Sequence, residues 1–324
     1  MKNLWGMLKL LGFLHQREEP SEATYKSKDC DWKIEVKSNS QANVHVHRGT
    51  LRCLVLSDIH SPFFYPPAVS LALKIGLRFN PHLLVLNGDI VDCFSVSPYR
   101  WGPRKDNLQK EIEVSRELLK FILSSFPRIP CVYLEGNHEL FLQKYICSKA
   151  SALADLAELH LPNLLGFVGR DKFYLERKEE YAIYSGTAFP TLYFYDKTGS
   201  PQLLIIHGDG MGISKGAVHY ARLLLQRTNM NTICGHWHVG QTWHTYALNG
   251  NRISAWVSPP LSFPRPHWRN SVWGLGFIMF SISDEGLLTV DMVDFVLDAK
   301  QGCLVAKYGN MLFTEELGED IDLD

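Results

Sequence analysis

Short, continuously apolar runs alternate along this chain with longer stretches of helical spacing. Leu51-Arg-Cys-Leu-Val-Leu56 is followed by a segment, 67–79, in which Val69, Leu73 and Leu77 recur at helical intervals. Leu83-Leu-Val-Leu86 precedes a long amphipathic face made by Leu108, Ile112, Ser115, Leu119 and Ile122. Cys131-Val-Tyr-Leu134 leads into a Leu- and Ala-rich stretch, 139–165, that reads as helix-prone. Leu203-Leu-Ile-Ile206 precedes a further helix over 216–227, and Thr232-Ile-Cys234 is a fifth short run. Beyond it the pattern turns to alternation over 242–247, 252–257, 277–282 and 287–293, with Ser283-Asp-Glu-Gly286 as a hairpin turn between the last two. Strands that are short and apolar throughout, separated by helices, predict an α/β protein whose sheets are buried with helices outside.

The two ends of the chain differ from this middle. Residues 1–50 combine a short apolar stretch of helical spacing (Leu4, Trp5, Leu8, Leu11), a polar, charge-mixed run over 16–31, and one alternating strand over 32–36. They read as an N-terminal appendage packing on a main domain of residues 51–300, with a protein- or DNA-docking element as the alternative. Residues 301–324 form a C-terminal segment with an acidic tail: Glu315, Glu316, Glu319, Asp320, Asp322 and Asp324 occur there without a basic residue from 314 onward. No internal repeat is visible.

Composition changes this picture little. A length of 324 residues with 46% hydrophobic and 21% charged positions fits a globular protein with an ample core. The net charge is −1; without the six acids of the tail, 33 Lys and Arg face 28 Asp and Glu, so the body carries +5, compatible with an anionic substrate. Seven cysteines, none in a C-x-x-C pair, with Cys53, Cys131 and Cys234 inside apolar runs, read as buried thiols in a reducing, cytoplasmic setting. The apolar N-terminus is interrupted by Lys9, is too short to span a bilayer and lacks a cleavage site, so no membrane partner is expected.

The candidate chemistry is positional. Each of the five apolar runs stops within a few residues of an Asp, His or Asn, and in helix-wrapped sheets ligands bind beyond the carboxyl ends of the strands. The residues brought together in this way are Asp58, His60, Asp89, Asn137, His138, His207, His236 and His238. Burying so many polar groups is costly without a cation to organise them. An imidazole, carboxylate and amide set suits manganese, iron or zinc, and is too nitrogen-rich for calcium or magnesium. There are too many ligands for one four-coordinate site, whereas two metals sharing a bridging carboxylate use them all. Gly88, Gly136, Gly208 and Gly235 adjoin these ligands, where they would let the backbone turn and approach the ions.

Asp58-Ile-His60, Gly88-Asp89-Ile-Val-Asp92, Gly136-Asn137-His138-Glu139, His207-Gly208 and Gly235-His236-Trp-His238 resemble, in order, the five motifs of the calcineurin-like metallophosphoesterase superfamily. The resemblance covers about residues 51–240. It implies a two-sheet β-sandwich flanked by helices in four layers (αββα). It implies one metal on Asp58, His60, Asp89 and His238 and another on Asp89, Asn137, His207 and His236. His138 would face the leaving group as proton donor, with Asp92 and Glu139 orienting the site; Asp92 reads equally well as a helix N-terminal residue. Manganese is the expected ion of the pair, with iron or zinc as alternatives. The implied reaction is in-line attack on phosphorus by a hydroxide bridging the two ions. The wording Ser57-Asp-Ile-His-Ser-Pro62 and Trp273-Gly-Leu-Gly-Phe277 is similar to phosphoesterases encoded by bacteriophages and mobile elements.

For the substrate, Arg100, Arg104 and Lys105 in an aromatic, basic loop after the second motif could meet a nucleotide or nucleic-acid backbone, or could be a solvated charge run. Arg265, His267 and Arg269 follow the fifth motif and could flank the cleft, and Lys215 is a further candidate. A phosphodiester in nucleic acid or a nucleotide is the expected substrate. A phosphomonoesterase, protein phosphatases included, is the alternative. A non-catalytic scaffold of the same fold would show eroded ligands, and here every ligand position and His138 are intact.

Overall fold

The computed structural model describes residues 21–37, 41–99, 107–127, 129–166, 173–176, 190–214, 216–247, 250–263 and 273–317. At its centre is a six-stranded sheet in which β4 (Leu51–Leu56), β5 (Leu83–Asn87), β6 (Cys131–Leu134) and β7 (Phe173–Glu176) run parallel. Beside them β13 (Gly276–Ile282) and β14 (Leu288–Asp294) form the antiparallel hairpin expected around Ser283-Asp-Glu-Gly286. The order across this sheet is β14-β13-β4-β5-β6-β7. Helix α1 (Pro66–Phe79) carries the crossover from β4 to β5, and α2 (Leu108–Ser125) that from β5 to β6. Their starts and stops follow local chemistry. Pro66 opens α1 and Asn80 closes it in the left-handed region, while the Asn107 side chain caps α2 by accepting the Lys110 amide at 2.9 Å.

A second sheet of eight strands contains β1 (Ser21–Lys26), β2 (Cys30–Lys37), β3 (Gln41–Gly49), β8 (Thr191–Tyr195), β9 (Pro201–Ile206), β10 (Thr232–Cys234), β11 (Gln241–Tyr246) and β12 (Arg252–Val257). Their order is β1-β2-β3-β8-β9-β10-β12-β11. The two sheets face each other through one apolar core. Trp32, Val44, Phe194, Ile205 and Ile233 from the larger sheet meet Cys53, Val55, Val85, Val132 and Phe280 from the smaller. The alternate residues of the same strands, Leu54, Leu56, Leu84, Leu86 and Tyr133, point to the other side and are covered by α1, α2 and α3 (Glu139–Lys149). On the far side of the larger sheet, Ala221, Leu224 and Leu225 of helix α5 (Tyr220–Thr228) cover Leu204, Ile206, Cys234 and Val257. The result is helix, sheet, sheet, helix: the four-layer α/β sandwich. Both faces of β4 to β6 are buried, which is why those strands are apolar throughout instead of alternating.

The structure departs from the sequence reading in several elements. Residues 21–49 contain three strands instead of one, and β3 joins the main sheet by pairing parallel with β8. The apolar stretch around Leu4 to Leu11 lies outside the described residues. Of the helix-prone stretch 139–165, only α3 and a one-turn α4 (Leu161–Leu164) are α-helical, the latter opened by Pro162; two 3-10 turns lie between them. The C-terminal segment supplies β16 (Cys303–Tyr308) and β17 (Met311–Glu316), which with β15 (Val296–Asp298) form a third sheet. That sheet docks on α1, where Glu315 accepts from Ser70 and pairs with Lys74. Residues 318–324 of the acidic tail are outside the described residues. Among the described residues no helix is long and apolar enough to cross a membrane.

Candidate metal centre

Parallel strands deliver their carboxyl ends to one place. The loops after β4 and β5 are zipped together beyond the strands: the amides of Asp58, His60 and Ser61 donate to the carbonyls of Gly88, Asp89 and Ile90 at 2.8–3.1 Å. The larger sheet is tied to the same end. The Asn87 amide side chain donates to the Ile206 carbonyl at 3.0 Å, and the Gly235 amide to the His207 carbonyl at 2.9 Å. Five of the residues singled out in the sequence, Asp58, His60, Asp89, His236 and His238, have φ between 51° and 71°. For a residue with a side chain that conformation costs on the order of 1 kcal/mol. Asp and His tolerate it better than most, and here it aims five side chains inward from the loops that follow β4, β5 and β10.

Glycine makes room for this crowding at two decisive points. Gly88 has φ +76°, and a Cβ there would overlap the His207 ring; a Cβ at Gly235 would overlap Ser57 Oγ and the Asp58 carboxylate.

Among the described residues, three groups of His and Asp side chains bring ligand-capable atoms within 4.8 Å of one another: Asp58, His60, Asp89 and His238; Asp89, His207 and His236; and His60, Asp92 and His138. Asp58, His60, Asp89 and His207 are essentially inaccessible to solvent. His238 Nε2 lies 3.2 Å from Asp58 Oδ1 and 3.0 Å from His60 Nε2, while His207 Nε2 lies 3.1 Å from Asp89 Oδ2.

Proton bookkeeping shows what this geometry lacks. His207 Nδ1 sits 2.9 Å from the Asn87 carbonyl, and His60 Nδ1 sits 3.0 Å from Asp92 Oδ2. Both partners are acceptors, so each Nδ1 carries the proton and each Nε2 turns a lone pair toward other acceptors. Asn137 Oδ1, His207 Nε2 and His236 Nδ1 are buried and make no hydrogen bond. Converging buried nitrogen and oxygen ligand atoms, three of them without a hydrogen bond among the described residues, fit divalent cations. Without a cation a proton takes that place. Burial pulls His207 down, but the Asp89 charge outweighs it and leaves the imidazole raised to about 10. His60 and His236 are held neutral, chiefly by burial, at about 4 and about 3.

His138 stands at the rim, its side chain 15% exposed. Its amide donates to Asp89 Oδ1 at 2.9 Å and its Nδ1 donates to the Asp92 carbonyl at 3.0 Å. Nε2 is therefore the ring atom directed at the site, 3.9 Å from Asp89 Oδ2. The ring is wedged between His60, edge-on at 4.6 Å, and Phe141 at 4.7 Å. Burial lowers its pKa, yet Asp89 and Asp92 more than offset this and raise it to about 9.

Glu139 is buried beneath the site and gathers five donors: the amides of Asp89, Ile90, Val91 and Gly136, and the Tyr133 hydroxyl, all at 2.7–3.0 Å. It joins the loops after β5 and β6. Asp92 is equally buried, and its Oδ2 accepts from His60 Nδ1 at 3.0 Å.

Arg100, Arg104, Lys105, Lys215, Arg265, His267 and Arg269 lie outside the described residues. The structure adds groups that the sequence reading did not assign to the site. Asn87 orients His207 through its main-chain carbonyl, which leaves no mark on residue type. The Trp273 ring packs on His238 at 4.3 Å from 35 positions away, without a spacing signal. Ser57 Oγ donates to Asp58 Oδ2 at 2.5 Å; its place beside a ligand was the available hint.

Buried ligand-capable Asp and His side chains at the carboxyl ends of strands in a four-layer sandwich form a cluster that could hold divalent metal ions, as in metallohydrolases. The family model described as calcineurin-like phosphoesterase matches residues 51–240, more than half of the chain, and the chain belongs to that family. No curated protein matches it. Among solved structures it is similar to a Vps29 single mutant from Entamoeba histolytica, at 12% identity over 76% of this chain and 100% of that one, with a TM-score of 0.34. It is also similar to the purple acid phosphatase PPD1 from yellow lupin (Lupinus luteus) seeds, at 10% identity over 82% of this chain and 57% of that one (TM-score 0.39). A third similar structure is TT1561 of Thermus thermophilus, at 12% identity over 75% of this chain and 99% of that one (TM-score 0.29).

Proposed function

We propose that this chain is a phosphodiesterase that works with two divalent cations, manganese first among them. One is held by Asp58, His60, Asp89 and His238 and the other by Asp89, Asn137, His207 and His236. The observation that carries this reading is the sharing of Asp89 between two groups of ligand-capable atoms whose imidazole nitrogens lie close to one another and to the carboxylates. When bound, the two cations supply Lewis acidity toward the phosphate oxygens and an activated water.

The chain's own residues supply the rest. Asp92 accepts the Nδ1 proton of His60 and so keeps Nε2 available as a ligand atom. His138, its Nδ1 committed to the Asp92 carbonyl, presents Nε2 to the departing oxygen and gives it a proton, a contribution usually worth about 10²–10⁴-fold. Glu139 holds the loops of Asp89 and Gly136 at fixed separation. The diester is favoured by the basic and aromatic segments that follow the second and fifth motifs, with Arg100, Arg104, Arg265 and His267 as the phosphate contacts. The seven free cysteines suit a cytoplasmic setting, and the similarity to phage-encoded phosphoesterases suits a nucleic-acid or nucleotide substrate.

The test compares bis-p-nitrophenyl phosphate with p-nitrophenyl phosphate in the presence of added Mn²⁺. Faster turnover of the diester, abolished by chelation, is expected. A preference for the monoester would replace the diesterase reading by a phosphomonoesterase, and activity indifferent to chelation would remove the metal.

A further inference from the structure

Between Asp209 and Asp284 the chain contains no Asp or Glu, yet it carries Lys215, Arg222, Arg227, Arg252, Arg265 and Arg269. At the chain's overall frequency of acidic residues a stretch of this length would hold about eight. Its described part forms α5 and β10 to β13, the flank of the molecule that includes His236 and His238.

The outermost strand of that flank is β11, which begins three residues after His238 and is the last strand of the larger sheet among the described residues. It runs antiparallel to β12, itself parallel to β10, so it leads away from the strand ends that hold the candidate ligands. Every residue from Thr242 to Tyr246 is exposed. Trp243, 40% exposed, has the Arg222 guanidinium 5.5 Å from its ring centre and the His219 ring 6.3 Å away. The Gln241 side chain accepts from the Ala221 amide and donates to the Val218 carbonyl, so the start of α5 and the start of β11 move as one surface. Farther along, Tyr246, 70% exposed, lies opposite Arg252 on the other face of the strand, because successive side chains alternate. Asp294 of β14 lies against Gly240, which leaves the α5 side as the cationic one.

An exposed ring beside a guanidinium group, on an acid-free edge leading out of a phosphoester-cleaving site, matches the chemistry of a single-stranded polyanion. A base stacks on the ring, and a phosphate meets the cation. We propose that the α5–β11 edge binds single-stranded nucleic acid whose scissile phosphate occupies the metal site, with Trp243 stacking a base and Arg222 meeting a backbone phosphate. This rests on the phosphodiesterase reading above. Arg222 covers part of the Trp243 ring and the exposed remainder is open to a base. The extended chain from His238 to Trp243 reaches at most about 17 Å, so that base is only a few nucleotides from the cleaved bond.

The experiment measures fluorescence anisotropy of a labelled oligothymidylate of about 20 nucleotides with the full chain, alongside bis-p-nitrophenyl phosphate turnover. The variants are Trp243→Ala, Trp243→Phe, Arg222→Ala and, as a control on a remote helix, Arg78→Ala. Trp243→Ala is expected to weaken oligonucleotide binding about tenfold, the scale of one lost base stack, with Trp243→Phe retaining most of it. Arg222→Ala is expected to lower the slope of log affinity against log salt by about 1. Arg78→Ala leaves binding, and every variant leaves bis-p-nitrophenyl phosphate turnover, at the wild-type level. Wild-type oligonucleotide affinity in Trp243→Ala and Arg222→Ala, with diester turnover intact, overturns the nucleic-acid edge and spares the phosphodiesterase reading. Parallel losses of turnover and binding assign the edge to the fold and also overturn it. A wild-type chain inactive on the small diester fails both.

Discussion

The Asp89 carboxylate faces three imidazoles at once: Oδ2 lies 3.1 Å from His207 Nε2, 3.9 Å from His138 Nε2 and 4.0 Å from His60 Nε2, while Oδ1 accepts the His138 amide. A residue shared between two ligand groups cannot be removed from one alone. Asp89→Ala is therefore expected to lower metal content at both sites together, measured by elemental analysis of protein loaded with Mn²⁺; retention of two ions per chain would refute the bridge. His138 behaves differently in this reading, because its Nδ1 is spent on a carbonyl and its Nε2 stands at the rim. His138→Asn should keep the metal stoichiometry and slow turnover about 10²-fold or more for alkoxide leaving groups, and much less for p-nitrophenolate, which departs without a proton. Equal losses for both leaving groups would count against proton donation.

At the scale of elements, the site depends on loops that the strands deliver and Glu139 clamps. A single buried carboxylate at the start of α3 satisfies four amides and a hydroxyl from the loops after β5 and β6 and from β6 itself. Removing the acceptor strands those donors in a place water does not reach. Glu139→Ala is expected to cost on the order of 4 kcal/mol, read as a lower urea midpoint at unchanged m-value, and Glu139→Gln to cost less because its carbonyl oxygen still accepts. A loss below about 1 kcal/mol would mean the loops hold their shape without the clamp. The helices themselves were legible because their spacing and caps are local: α1 and α2 sit where Val69, Leu73, Leu77, Ile112 and Leu119 place them. Strand β3 was not legible. Its sequence, Gln41 to Gly49, pairs on one side with the neighbouring β2 and on the other with β8, some 150 positions away, and the second pairing places it in the sandwich.

The whole molecule couples this site to stability. In the metal-free protein His207 and His138 are raised to about 10 and about 9, because the Asp89 charge outweighs burial. Groups raised above their unfolded value stabilise fully below about pH 6.5, and that contribution is lost as pH climbs through 9 and 10. His60 and His236 are depressed by burial to about 4 and about 3, so their contribution is present above about pH 6.5 and lost as pH falls through those values. Chelated protein should thus be most stable near pH 6.5, with urea midpoints falling on both sides. Adding Mn²⁺ should remove the alkaline fall, since a cation then replaces the protons. A midpoint that rises steadily from pH 5 to 10 in chelator would contradict this account.

The sequence by itself missed β7 and β8 but determined the order of β4, α1, β5, α2, β6, β9, α5 and β10, and the identity of the residues at the ends of those strands. Both are carried by nearest-neighbour chemistry: continuous apolar runs for strands buried on two faces, and Asp, His and Asn beside glycines where a backbone must turn. Only the tertiary structure decided which of those residues meet. The left-handed backbone at five candidate ligands, the Asn87 carbonyl that sets the His207 tautomer, and the packing of Trp273 on His238 all arise from chain segments far apart in sequence. Such contacts form when the two sheets close on a common core, and no local pattern of residues encodes them.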